Sequence, residues 1–176
     1  MDEFLPDLHL IWRPVEFASF GGMDSLQQAY SRVIDEGGHA WWTQRLSLTY
    51  IRLLDRVLES GRTVHLFPVA NPREAGQQIF RLRARIGDVL YNPDGSFVPQ
   101  PDELLPFRRS SADRIYSACW IKLVSMETIP PAELPEPNDY LVLPYGDDLL
   151  EALDNRFSKG CILPRAQYDE FRKTNV

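Results

Sequence analysis

Histidine and cysteine are scarce in this chain, three and two among 176 residues, and the scarcity removes whole classes of chemistry. His9, His39 and His65 stand at no ligand spacing with one another or with a cysteine, so no zinc site is written here. A strand histidine such as His65 is more often structural than a general base. Cys119 and Cys161 match no zinc or redox spacing, and each falls in an apolar, strand-like run. Two buried free thiols in a reducing compartment are expected. Also missing are Gly-x-Ser-x-Gly, a phosphate-binding P-loop, Gly-x-Gly-x-x-Gly and His-Glu-x-x-His, so no cofactor is expected. No apolar run approaches membrane-spanning length. Met1-Asp2-Glu3 opens acidic and without an apolar h-region, so no signal peptide is expected and the chain reads as cytoplasmic. A net charge of −6 excludes the basic-tail type of polyanion binder and leaves only local cationic patches open.

What is present suits one α+β domain over residues 1–176, large enough to bury a proper core. Its organising stretch is Phe80-Arg81-Leu82-Arg83-Ala84-Arg85-Ile86. At a period of two, Phe80, Leu82, Ala84 and Ile86 fall on one side and Arg81, Arg83 and Arg85 on the other. The strand is expected to run from Gln77 to Tyr91 with a bend at Gly87-Asp88, flanked by strands at Thr63–Val69 and Ile115–Val124. Its arginines are either a solvated row paired with neighbouring acids or a surface for phosphates. A first strand is predicted over His9–Val15 and helices over Asp24–Glu36 and Ser47–Ser60. Asp24 or Ser25 caps the first helix, and glycines stop both. Asn92-Pro93-Asp94-Gly95 signals a turn, and the stretch to Ser111, with Arg108 and Arg109, reads as a long surface loop. A strand over Asp139–Pro144, an acidic helix over Asp147–Asn155, then a strand from Gly160 and a final helix complete the order.

Four tryptophans carry the strongest functional signal, because Trp41 and Trp42 are adjacent. Neighbours in an extended segment point to opposite faces. Either all four indoles pack the core, or one of the pair is an open platform for a flat or cationic ligand. Stacking contributes about 1–3 kcal/mol per base, so a single ring matters to affinity. Thr43 and Gln44 offer hydrogen bonds to a base edge, and Arg45 adds charge just outside. An aromatic wall, a polar reader and a cation are what a pocket for an extruded base requires.

The chain resembles the PUA-like superfamily, in particular its EVE and YTH branches. The resemblance rests on element order: a Trp-bearing first strand, a helix, Trp41-Trp42-Thr43-Gln44 and a second helix, then a hairpin whose second arm is Phe80–Ile86. A strand with the single Trp120, the run Ile129-Pro130-Pro131, and a close on Phe157 to Pro164 with a final helix follow. It implies a small bent antiparallel β-barrel with flanking helices, and a non-catalytic module that binds DNA or RNA and takes a modified base into an aromatic cage. Such domains also serve modification-dependent restriction systems in bacterial defence. The resemblance makes Trp12, Trp41 and Trp42 cage candidates with Thr43 and Gln44 beside them. Arg45, Arg81, Arg83, Arg85, Arg108 and Arg109 become phosphate candidates. Two rival readings remain open at this point. One is a protein-interaction domain that docks a partner through the acidic surface of Asp147–Asp154. The other is a small ASCH-like hydrolase using Glu127 or Lys122 near Trp120; the acids Glu127 and Glu133 are not favoured as a pair over solvent exposure.

Overall fold

A computed structural model of the chain describes residues 4–13, 22–69, 78–101, 115–155 and 159–175. The predicted organising strand is β4 (Leu82–Tyr91), and its neighbours are the two strands expected on either side, β3 (Val64–Pro68) and β7 (Cys119–Thr128). Further out lie β2 (Ala40–Trp42), paired with β7, and β1 (His9–Trp12), paired with β3. Beyond β1 come β10 (Lys159–Pro164), β8 (Tyr140–Val142) and β9 (Asp147–Asp148), so the eight-stranded order is β2-β7-β4-β3-β1-β10-β8-β9. Every pairing is antiparallel except β1 with β3. A separate two-stranded ribbon joins β5 (Val98–Pro99) to β6 (Tyr116–Ser117).

Helix α1 (Met23–Gly37) keeps its predicted stripe, burying Met23, Leu26 and Tyr30. Its start differs from the expectation: Gly22 occupies the N-cap and neither Asp24 nor Ser25 caps with its side chain. Gly38 ends it at φ 82°, where its N–H bonds the Ile34 carbonyl. Helix α2 (Leu48–Glu59) starts as predicted, with the Ser47 side chain accepting from the Tyr50 N–H. Helices α3 (Leu149–Asp154) and α4 (Tyr168–Asn175) follow the later strands.

Because strand side chains alternate, the sheet divides the interior in two. Leu10, Leu66, Cys161 and Leu163 enter the larger core with residues of α1, α2 and α4, while their neighbours Ile11, Phe67 and Ile162 enter a second core with Leu149 and Leu153 of α3. Residues Leu82, Ala84 and Ile86 join the larger core as their period predicts. Phe80 is buried too, but in the second core with Phe67 and Val69. The predicted bend at Gly87 is a pair of offsetting irregularities. Val124 of β7 and Gly87 of β4 are both skipped between Arg85↔Ser125 and Asp88↔Lys122. A Cβ on Gly87 would lie 2.7 Å from Val124 Cγ1, so glycine lets the two skipped residues overlie.

The expected barrel is not closed by hydrogen bonds: among the described residues no ladder joins the terminal strands β2 and β9. The sheet nevertheless curls. Strands β1 and β2 are four places apart, about 19 Å in a flat sheet. Their tryptophans Trp12 and Trp42 nonetheless stand with ring centroids 4.0 Å apart. Both pack against the larger core, so that face is the concave one. The long surface loop expected up to Ser111 instead contributes β5 at Val98–Pro99, which pairs with β6, and its remainder with Arg108 and Arg109 lies outside the described residues. No helix among the described residues is long and apolar enough to cross a membrane.

Candidate functional site

The adjacent tryptophans do point to opposite faces of β2. Trp41 is 9% exposed and packs with Trp120 and Val98 under the β5–β6 ribbon, with Lys122 Nζ 6.0 Å from its ring centroid. It is a sealed core residue and no open platform. Trp42 stays half-buried on the concave face, tilted 46° against Trp12 and edge-on to Tyr30 at 6.3 Å. The indole N–H of Trp42 donates to Gln44 Oε1 at 3.3 Å. Gln44 is 3% exposed, and its Nε2 has no hydrogen-bond partner. A buried amide donor left unsatisfied costs about 1–3 kcal/mol, so this position favours an acceptor that the protein itself does not supply.

Thr43 is spent differently from the expectation. Its hydroxyl meets that of Ser117 and donates to the Cys119 carbonyl at 2.8 Å, fastening the end of β2 to β6 and β7. Arg45, one residue past Gln44, is exposed and has no acid partner among the described residues.

Of the arginine row, Arg83 and Arg85 project from the face of β4 opposite Leu82, Ala84 and Ile86, and hence away from the Trp12–Trp42 pair. Arg81 precedes the strand, follows Phe80 of the second core and lies beside Asp24 of α1, contrary to the single cationic face expected. The row is no uniform cationic strip. Arg83 bonds Glu127 and Glu133, each at 2.7 Å, and these acids raise its pKa further by binding the charged form. Arg81 lies 3.8 Å from Asp24 with both side chains well exposed, and Arg85 has no ion pair among the described residues. Arg83 therefore clamps two carboxylates where a phosphate was expected. Arg83→Ala is expected to lower stability by about 1 kcal/mol and Arg85→Ala by under about 0.5 kcal/mol, read from urea unfolding midpoints.

The same geometry bears on the hydrolase reading. Glu127 is held by Arg83, and Lys122 sits five residues back along β7, about 16 Å away in extended chain, over the buried Trp41. These two do not converge on one reacting centre. Among the described residues no cluster of His, Cys, Asp and Glu is placed to hold a metal ion. Burial pushes the thiols of Cys119 and Cys161 up to about 12, so both are inert free cysteines in the core.

Family models, curated proteins and solved structures show no match to this chain. The residues themselves therefore carry the functional argument. Tyr30 belongs to the site and was missed in the sequence, because its place in the α1 stripe reads as plain core. Its hydroxyl pKa is raised by burial.

Proposed function

We propose that the chain is a non-catalytic nucleic-acid-binding module of the PUA-like kind, which receives a base, flipped out or modified, on the Trp12–Trp42 pair. The observation that carries the reading is the unpartnered amide of Gln44 beside a half-buried indole. With its oxygen committed to Trp42, the buried Gln44 amide keeps an unpartnered donor, which base carbonyls and ring nitrogens satisfy once the site opens to admit the base. Sandwiching a base between two rings needs about 7 Å, two contact distances of about 3.5 Å. At 4.0 Å the two indoles act as one platform, and the base stacks on its outer side. Arg45, exposed and three residues past Trp42, is the cation for a phosphate in this reading. Curling of the sheet, which brings β1 to β2, supports the bent-barrel part of the proposal.

The test is fluorescence anisotropy with labelled single-stranded DNA and RNA at physiological salt. The expected affinity for one of them exceeds the non-specific range of roughly 10⁻⁴–10⁻⁶ M. Trp42→Ala is expected to weaken it by about 5- to 150-fold, the equivalent of about 1–3 kcal/mol of stacking. Arg85→Glu, on the opposite face, is expected to change it less than about twofold. Binding only in the non-specific range, or equal affinity for Trp42→Ala, removes the proposal.

A further inference from the structure

A second concavity lies at the other end of the sheet, far from β2 in strand order. The turn after β8, the terminal strand β9 and helix α3 enclose a cleft of about 530 Å³, a size typical of ligand pockets. Leu143, Pro144 and Ala152 give it an apolar wall, and Asp147 and Glu151 give it two carboxylates. Tyr145, 83% exposed, stands at its mouth.

The cleft is braced in advance of any ligand. Gly146 adopts φ 75°, and its N–H bonds the Val142 carbonyl at 2.8 Å. The Tyr168 ring of α4 lies so close that a Cβ on Gly146 would be 2.4 Å from Cζ, and the Tyr168 hydroxyl donates to the Pro144 carbonyl at 3.2 Å. The turn presenting Tyr145 and Asp147 is thus held from behind by the C-terminal helix.

Charge decides what fits. Asp148 is neutralised by Arg165, but among the described residues neither Asp147 nor Glu151 has a cationic partner. An anion is repelled there, and a wholly apolar group leaves both carboxylates uncompensated. An arginine side chain meets every wall: an aliphatic stem for Leu143 and Ala152, a planar fork for the carboxylates, and a cationic face for the Tyr145 ring. Among the described residues the two-residue strand β9 is the last in the sheet, with an edge to which an extended main chain can add. The geometry points to a docking site for an arginine-bearing extended segment of a protein partner, with Asp147 and Glu151 as the charge readers and Tyr145 as the aromatic face.

The test is an amide chemical-shift titration of the full chain with acetyl-Val-Arg-Val-amide, its citrulline counterpart, and spermidine. The arginine peptide is expected to shift resonances within 142–155 with a Kd of about a millimolar or below, and citrulline, isosteric and neutral, to bind at least about tenfold more weakly. Glu151→Gln is expected to weaken the arginine peptide about tenfold and Tyr145→Ala about two- to fivefold, both at exposed positions that leave the fold intact. Absence of localised shifts at 10 mM peptide (about ten times that Kd) overturns the site. Citrulline binding equally well overturns the role of charge, and spermidine binding as tightly as the peptide overturns the protein partner.

Discussion

Trp120→Ala is expected to cost about 3–5 kcal/mol of folding stability, about a fifth or more of the roughly 5–15 kcal/mol that a domain has in total. The indole is 1% exposed, fills the space between Trp41 and Val98, and donates its N–H to the Val98 carbonyl at 3.1 Å. Its removal opens a cavity and leaves that carbonyl without its donor, two costs in the same direction. The β5–β6 ribbon loses its anchor to the main sheet at the same time, because Val98 is held there by this cluster. Trp42→Ala makes the contrast. That ring is half-buried, so its truncation is expected to cost less stability than Trp120→Ala while weakening ligand binding more. Urea unfolding of both variants checks this, with acrylamide quenching to show Trp12 and Trp42 accessible and Trp41 and Trp120 protected. A cost under about 1.5 kcal/mol for Trp120→Ala means that the third cluster is not a packed core.

The part of the fold set by local pattern was legible in the residues. The two-residue period of β4, the stripes of α1 and α2, the Ser47 cap and the bend at Gly87 each depend on neighbours within a few positions, and each took its expected place. What escaped depends on distant pairing. That Arg83 faces Glu127 follows from the register of β4 against β7, and Glu133 reaches it from the turn beyond Thr128; no linear spacing encodes either. Opposite orientation of Trp41 and Trp42 was readable, but which of them is sealed depends on Val98, more than fifty positions away. Meeting of Trp12 and Trp42 is a product of sheet curl accumulated over four strand pairings. Gln44 was readable as a base-reading candidate; its locked orientation was not, since that required knowing where the Trp42 N–H points.

Acidification from pH 6.5 to 4 is expected to remove about 2–3 kcal/mol of stability through His9 alone. His9 on β1 and His65 on β3 stack with ring centroids 5.6 Å apart, with Phe67 and Tyr140 edge-on to His9. Burial lowers the His9 pKa to about 4, and the neighbouring His65 lowers it too, against a smaller opposing pull from Asp7. A hydrogen bond points the same way: His9 Nδ1 accepts from the His65 backbone N–H at 3.1 Å, and protonation there would abolish it. The pKa of His65 is likewise lowered, first by burial and then by Arg83. The sign follows from proton uptake. Below about pH 6.5 the unfolded chain takes up protons that folded His9 refuses until about pH 4, so stability falls as pH falls across that window and levels off below it. Protonation of carboxylates overlaps this range, so the measurement is a difference between two proteins. His9→Asn retains an acceptor near Nδ1 and carries no titrating group, and its unfolding free energy is expected to fall less steeply from pH 6.5 to 4 than that of the wild type. Equal slopes in urea titrations across that window would mean that His9 is solvated in the folded state, and with it that the β1–β3 edge is open.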